Sequence, residues 1–171
     1  MATPPFHLRL VVADTNFPLD VAAGKPVAKK AMEDIRLRLK GERLRIPPTV
    51  MQELTYLSDY AEELDVRERA RRVLREHKQL GFELDNHTVL PDWHLAQVAA
   101  HLRQCKLLPA SEVNDSAIIV EAAALGATLL ISSDRHVCEI DFQQLKLALL
   151  QFDLTAPVIA SPRDIVHKFL R

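Results

Sequence analysis

Hydrophobic and polar positions follow two patterns along this chain. Apolar runs at residues 8–13, 127–132 and 157–160 are too short for helices and are typical of strands buried on both faces. A further short strand or two is predicted around Asp85 and Asn86. The intervening segments have helical spacing or composition, and they predict helices over 27–40, 51–60, 61–80, 91–102, 115–125, 142–151 and 161–170.

The predicted helices have recognisable boundaries. Gly41 and Gly126 are expected to stop two of them, because glycine tolerates the backbone conformation that ends a helix. Pro47–Thr49 is expected to be extended and then to enter a helix. Ser161 is expected to cap the last helix, with Pro162 in its first turn.

Strands that alternate with helices predict an α/β fold with a parallel sheet and right-handed crossovers. The chain has 171 residues, of which 48% are hydrophobic and 26% charged, so one core is expected to hold it together. Since no repeat or linker interrupts the pattern, we predict a single domain over residues 1–171.

Charge and composition exclude several classes of function. The net charge of −1 gives no global basic field for nucleic acid, and Cys105 and Cys138 lack the spacing of a zinc site. No secretory signal or membrane-spanning run is visible, so we expect a soluble, cytoplasmic protein. Aromatic residues make up only 5%, which does not point to base stacking, and Trp93 is predicted to lie in the core.

Acidic residues follow two of the predicted strands. Asp14 ends the first strand and Asp134 ends the strand "LLISS", while Glu53 and Asp115 lie early in two helices. Ligands of parallel sheets bind beyond the carboxyl ends of the strands. The four carboxylates are therefore expected to converge there, although each alone is also typical of a turn, a solvated helix surface or a helix N-terminus.

Such a cluster is unfavourable without a counter-charge. Two like charges about 4 Å apart repel by about 4 kcal/mol at an effective dielectric constant near 20. Either some of the acids are protonated or a cation neutralises them. Oxygen ligands without nearby His or Cys favour Mg²⁺ or Mn²⁺, whose chemistry suits cleavage of a phosphodiester.

The series "VVADTN", "PPTVMQEL", "NDSAIIVEAAALGATLLISSDRH" and "PVIASPRDIVHKFL" resembles the PIN-domain ribonucleases over nearly the whole chain. The resemblance implies a three-layer α/β/α sandwich with a central parallel sheet, and cleavage of single-stranded RNA dependent on Mg²⁺ or Mn²⁺. The family includes toxins of toxin–antitoxin modules, so the resemblance also implies a possible small antitoxin protein and a homodimer.

The same resemblance implies roles for individual residues. Asp14, Glu53, Asp115 and Asp134 match the four catalytic and metal-binding acids, with Glu53 either ligating metal or orienting water. Asn16 and Ser132 match supporting polar positions. The chain departs from the pattern after Asp134, where "DRHVCEIDF" makes Asp141 a weaker rival or companion.

Basic side chains offer candidate contacts to RNA phosphates. Lys29, Lys30 and Arg36 precede the Glu53 helix, and Arg135 and His136 follow Asp134. The alternative for most basic residues is a solvated helix surface balanced by neighbouring acids.

The sequence leaves two other classes of protein open. One is a catalytically inactive PIN-like module that binds RNA or protein. The other is a phosphoaspartate enzyme, which "DTN" disfavours because the paired acid and downstream lysine of that class are missing.

Overall fold

The computed structural model describes residues 9–39, 42–86 and 89–168. Within these ranges the elements follow one another along the chain as β1 (Val11–Ala13), α1 (Asn16–Ala22), α2 (Pro26–Arg38), β2 (Leu44–Ile46), α3 (Pro48–Tyr60), α4 (Leu64–Leu80), β3 (Phe82–Leu84), α5 (Asp92–Gln104), α6 (Val113–Ala124), β4 (Leu129–Ile131), α7 (Arg135–Cys138), α8 (Phe142–Leu150), β5 (Val158–Ala160) and α9 (Pro162–Lys168).

The five strands form one parallel sheet in the order β3-β2-β1-β4-β5. Strand β1 is central and pairs with β4 through Val12 and Leu130, and with β2 through Val12 and Arg45. The central strands are apolar and fully buried because helices cover both faces of the sheet. The predicted parallel α/β fold is confirmed.

Two groups of helices form the outer layers. On one side α4 packs against α1 and α3, and α2 packs against α1 and α9; on the other, α5 packs against α6 and α8. Side chains such as Phe17, Ile35, Leu102 and Ile119 are fully buried between these helices and the sheet. The three-layer α/β/α architecture is therefore confirmed.

The chain changes direction across the sheet between β1 and β4. From β1 it proceeds outward to β2 and β3, and then returns to place β4 on the other side of β1. At such a switch point the loops after two neighbouring strands diverge and leave a crevice. Asp14 follows β1 and Asp134 follows β4, so both border this crevice.

Most predicted element boundaries agree with the structure. Gly126 has a φ of 72° just beyond α6, the left-handed conformation expected of a stop. Ser161 and Asp164 bond reciprocally at the start of α9: the Ser161 hydroxyl accepts from the Asp164 amide, and the Asp164 carboxylate accepts from the Ser161 amide. Gly41, residue 8 and residues 169–170 lie outside the described residues.

Other features differ from the sequence analysis. The sequence pattern does not predict helix α1, because its seven residues are too few for a periodic pattern. Pro18, in its first turn, is also a residue that usually argues against a helix. The prediction that Trp93 lies in the core is wrong: it is 70% exposed at the start of α5 and stacks on His94. Among the described residues, no helix is long and apolar enough to span a membrane.

Candidate active site

Asp14 lies at the floor of the crevice, with only 4% of its surface exposed. Its backbone amide continues the sheet by donating to the carbonyl of Ile131 at 2.9 Å. Burial raises the pKa of the Asp14 carboxyl, and the charges of Glu53 and Asp134 raise it further, while hydrogen bonds from Ser132 and Thr15 oppose the rise. The side chain is thus held in place but costly to ionise.

Ser132 connects the first and last of the predicted acids. Its fully buried hydroxyl donates to Oδ2 of Asp14 at 2.6 Å and accepts from the backbone amide of Asp134 at 3.0 Å. The supporting role expected at this position therefore has a geometric basis, and it extends to Asp14 as well as Asp134.

Asp134 begins helix α7. Its Oδ1 accepts from the amides of His136 at 2.7 Å and Val137 at 3.3 Å, which leaves Oδ2 without a bond among the described residues. These bonds fix the carboxylate where the loop after β4 meets the crevice. Asp141 has an analogous but separate position, capping α8 through the Gln144 amide at 2.9 Å, and it does not line the crevice.

Glu53 reaches the crevice from α3. One of its oxygens accepts from the Thr15 hydroxyl in a short bond, and the other accepts from the Asn114 amide group at 2.7 Å. Thr15 also donates its backbone amide to Oδ1 of Asp14 at 2.6 Å. Thr15 therefore fixes the position of Glu53 relative to Asp14.

Asp115 enters from the first turn of α6. Partial burial, the charges of Asp14 and Asp134, and the neighbouring Glu112 raise the pKa of Asp115 to about 7. Burial is the largest cause of the raised pKa, and repulsion from the neighbouring carboxylates adds to it.

The crevice forms an open cavity of about 480 Å³. Asp14, Glu53 and Asp115 line it together with Thr15, Asn16 and Asn114, and Thr49, Gln52, Tyr56 and Leu57 of α3 form the remaining wall. Asp134 does not line the cavity, but it lies close enough for its charge to raise the pKa of both Asp14 and Asp115. Asn16 is exposed at this rim and has no hydrogen bond among the described residues. The structure thus places Asn16 at the cavity, whereas it is Thr15 that orients the carboxylates.

No Lys or Arg of the described residues pairs with any of the four acids. A third strand-end acid shows the contrast: Asp85, after β3, is neutralised by Arg45, whose guanidinium donates to it at 2.6 and 3.1 Å. A buried carboxylate without a counter-ion is unfavourable. The acids of the crevice therefore have no compensating cation among the described residues.

The donor set fits a hard divalent cation. Carboxylate and amide oxygens line the cavity, and the described residues include no Cys or His among its walls. As the side chains stand, no three described His, Cys, Asp or Glu residues are close enough together to hold a metal ion. Several carboxylate oxygens of Asp14, Glu53 and Asp134 accept hydrogen bonds from the protein. Rotation of these side chains is therefore needed before their oxygens could form a complete ligand shell.

The predicted basic contacts are spread over the molecule. Lys30 is paired with Asp34 at 3.0 Å, and Lys29 packs along Gly24. Arg36 packs beside Gly81, which precedes β3, and so lies toward the amino ends of the strands, away from the crevice. Four of the five arginines of α4 are also paired with acids of the same helix, whereas Arg67 bonds to the carbonyl of Ala61. For most of these side chains the structure supports the solvated-surface alternative.

Arg135 and His136 lie closer to the acids. Arg135 is exposed and pairs with Glu139 at 2.7 Å. His136 lines a second groove with Arg103 and Lys106, and Arg103 bonds to the hydroxyl of Ser116, the residue after Asp115. Arg103 and His136 are thus each linked to the neighbourhood of an acid, but this groove and the acidic cavity share no lining residue.

Glu121 is a buried acid whose role the sequence analysis did not identify. It is 4% exposed on α6, and its carboxylate accepts from the backbone amide of Thr49 at 3.2 Å and from the Thr49 hydroxyl at 3.0 Å. Burial, with Glu53 and Asp85 nearby, raises the pKa of Glu121 to about 7. Glu121 therefore anchors the first turn of α3, one turn before Glu53.

A comparison with protein-family models identifies the family to which this fold belongs. The model described as PIN domain matches residues 11–143, which cover four of the five strands and all four acids. The chain belongs to the PIN-domain family. PIN domains are generally nucleases that act on RNA, and PIN nucleases typically use divalent metal ions. A search of curated proteins found no match.

Proposed function

We propose that this PIN domain is a metal-dependent endoribonuclease that hydrolyses phosphodiester bonds of single-stranded RNA in the cytoplasm. The observation that carries the proposal is the cluster of acids at the switch point, which has no cationic partner among the described residues. At its floor lies the buried Asp14, whose carboxyl group accepts hydrogen bonds from the Thr15 amide and the Ser132 hydroxyl. A cluster of carboxyl groups without a basic partner is the arrangement expected of a site that a cation completes.

We assign the binding of Mg²⁺ or Mn²⁺ to Asp14, Asp115 and Asp134, with Glu53 facing them. Such an ion, when bound, supplies an activated water and stabilises charge on the phosphate. Thr15 and Asn114 hold the Glu53 carboxylate, which is then positioned to ligate or to accept a proton from water. Ser132 fixes the position of Asp14 relative to Asp134 by bonding to both residues.

Asp14→Asn tests the proposal most directly. Asparagine preserves the size of the side chain and keeps a hydrogen-bonding oxygen, but it removes the central charge. We expect loss of cleavage of single-stranded RNA in Mg²⁺ or Mn²⁺, with the fold retained by circular dichroism. Wild-type protein in chelator should be equally inactive, and single-stranded DNA assayed in parallel defines the sugar preference.

Asp153→Asn is the matched control. Asp153 is exposed in the turn after α8 and has a φ of 56°, a conformation that asparagine also tolerates. This variant should cleave RNA like the wild type. Full activity of folded Asp14→Asn would refute the assigned site. A wild-type protein that binds RNA but cleaves nothing with either metal would instead identify an inactive binding module.

We further propose that the protein is the toxin of a toxin–antitoxin module. In that case expression of the chain alone should arrest growth, Asp14→Asn should relieve the arrest, and a small antitoxin should block the acidic crevice. A homodimer, expected from the family, is tested by light scattering on the purified protein.

A further inference from the structure

Two tyrosines form an exposed aromatic surface beside the crevice. Tyr56 and Tyr60 lie one turn apart on α3, and their ring centroids are 5.2 Å apart. Their exposed fractions are 63% and 66%, so the core does not need either ring. Contiguous exposed apolar surface is a common feature of binding sites.

Tyr56 also forms part of the wall of the acidic cavity. It is three residues after Glu53, and residues at this spacing share one face of a helix. Leu57 adds an apolar contact on the same wall. The cavity therefore combines a carboxylate floor, suited to a cation and a phosphate, with a flat apolar side.

These two surfaces match the two parts of a nucleotide. A nucleotide carries an anionic phosphate and a flat base, and base stacking on an aromatic side chain is available only where the base is unpaired. A cavity of about 480 Å³ lies in the range of small-ligand sites. In a duplex the base faces are covered by their neighbours, so the aromatic wall selects against paired strands.

Building on the proposed function, we propose that Tyr56 stacks an unpaired base of the RNA next to the phosphate held at the acids, with Tyr60 extending the aromatic surface. The pair then provides the preference for single strands. A low aromatic content does not conflict with this proposal, since two aromatic residues suffice when they lie beside the site.

The binding test separates stacking from cleavage. Fluorescence anisotropy of a labelled ten-nucleotide single-stranded RNA is measured with Ca²⁺, a hard cation that offsets the charge of the acids, and electrophoresis of the same samples checks that the RNA remains intact. Tyr56→Leu retains apolar volume without a ring and should weaken binding about 5- to 150-fold, the range of one lost stack. Tyr56→Phe retains the ring and should stay within about twofold of wild type.

Two controls make the result specific. Trp93→Leu removes another exposed aromatic ring, on α5 and outside the cavity wall, and should leave affinity unchanged. An RNA of the same length with abasic residues should bind wild type and Tyr56→Leu equally, because it offers no base to stack. Thermal melting checks that each variant is folded.

The outcomes distinguish this inference from the proposed function. Tyr56→Leu binding like wild type, or losing as much affinity for abasic as for ordinary RNA, would overturn the stacking assignment even if the protein cleaves RNA. Absence of metal-dependent cleavage by wild type would overturn the nuclease proposal, while a base-dependent effect of Tyr56→Leu on binding would still support stacking.

Discussion

The buried Glu121 offers a quantitative test of the electrostatics around the site. The folded protein raises the pKa of Glu121 from 4.5 to about 7, chiefly by burial. The folded state therefore binds this proton more tightly than the unfolded chain. It follows that the stability contributed by protonated Glu121 is complete below about pH 4.5 and is lost as the pH rises through about 7.

The magnitude follows from the two pKa values. A tenfold change in proton affinity corresponds to about 1.4 kcal/mol, so ionising Glu121 in the fold costs about 3 kcal/mol by pH 8. Glu121→Gln removes this cost and keeps an oxygen that accepts from the Thr49 amide and hydroxyl. The variant should exceed the free energy of unfolding of wild type by less than about 1 kcal/mol at pH 5 and by about 3 kcal/mol at pH 8.

Urea denaturation followed by circular dichroism at pH 5, 6, 7 and 8 in chelator measures this difference. Comparing variant with wild type at each pH cancels the contributions of other acids. Glu62→Gln is the control, because Glu62 is exposed at the start of the α3–α4 connection and should show no such trend. A Glu121→Gln difference that is constant with pH, or a variant less stable than wild type at pH 8, would refute the reasoning.

Two further predictions concern the acids themselves. Ser132→Ala removes the hydroxyl that bonds to Asp14 and to the Asp134 amide. Urea denaturation should show that the free energy of unfolding falls by about 1.5–3 kcal/mol. The substitution should also raise the pKa of Asp14 further, and metal titration should therefore show weaker Mn²⁺ binding. Unchanged stability and Mn²⁺ affinity would count against the bridging role. Asp115 has its pKa raised to about 7, so the metal-free protein should lose stability as the pH rises from about 4 to 7. Asp115→Asn should flatten that slope in thermal melts, and Mn²⁺ should stabilise wild type more at pH 8 than at pH 5, where protons compete; an unaltered slope in the variant would contradict this.

Local patterns predicted the framework of this protein well. Strands buried on both faces need continuous apolar runs, so "LVVA" and "LLI" were recognisable, and so was the acid that follows each. A parallel arrangement then places the carboxyl ends of these strands at one edge. Asp14 and Asp134 meet there for that reason, without any information about side-chain packing.

Side-chain contacts between distant segments were not predictable in this way. Thr15 bonds to Glu53 across 38 residues and Glu121 to Thr49 across 72, and no periodicity marks either pair. Trp93 illustrates a related failure, since helical spacing indicates which residues share a face but does not reveal whether that face meets another element.

The sequence by itself determined the fold class, most of the strands and helices, and the positions of acids at strand ends, because these depend on local hydrophobicity and backbone preference. The short elements α1, β2 and α7 were not predicted. Only the tertiary structure decided which acids have a basic side chain as a partner and which do not. Asp85 is neutralised by Arg45 from the neighbouring strand, whereas Asp14 is buried without a cation and faces Glu53. The same packing placed Tyr56 beside these carboxylates, since the angle at which α3 leaves the sheet depends on contacts far apart in the chain.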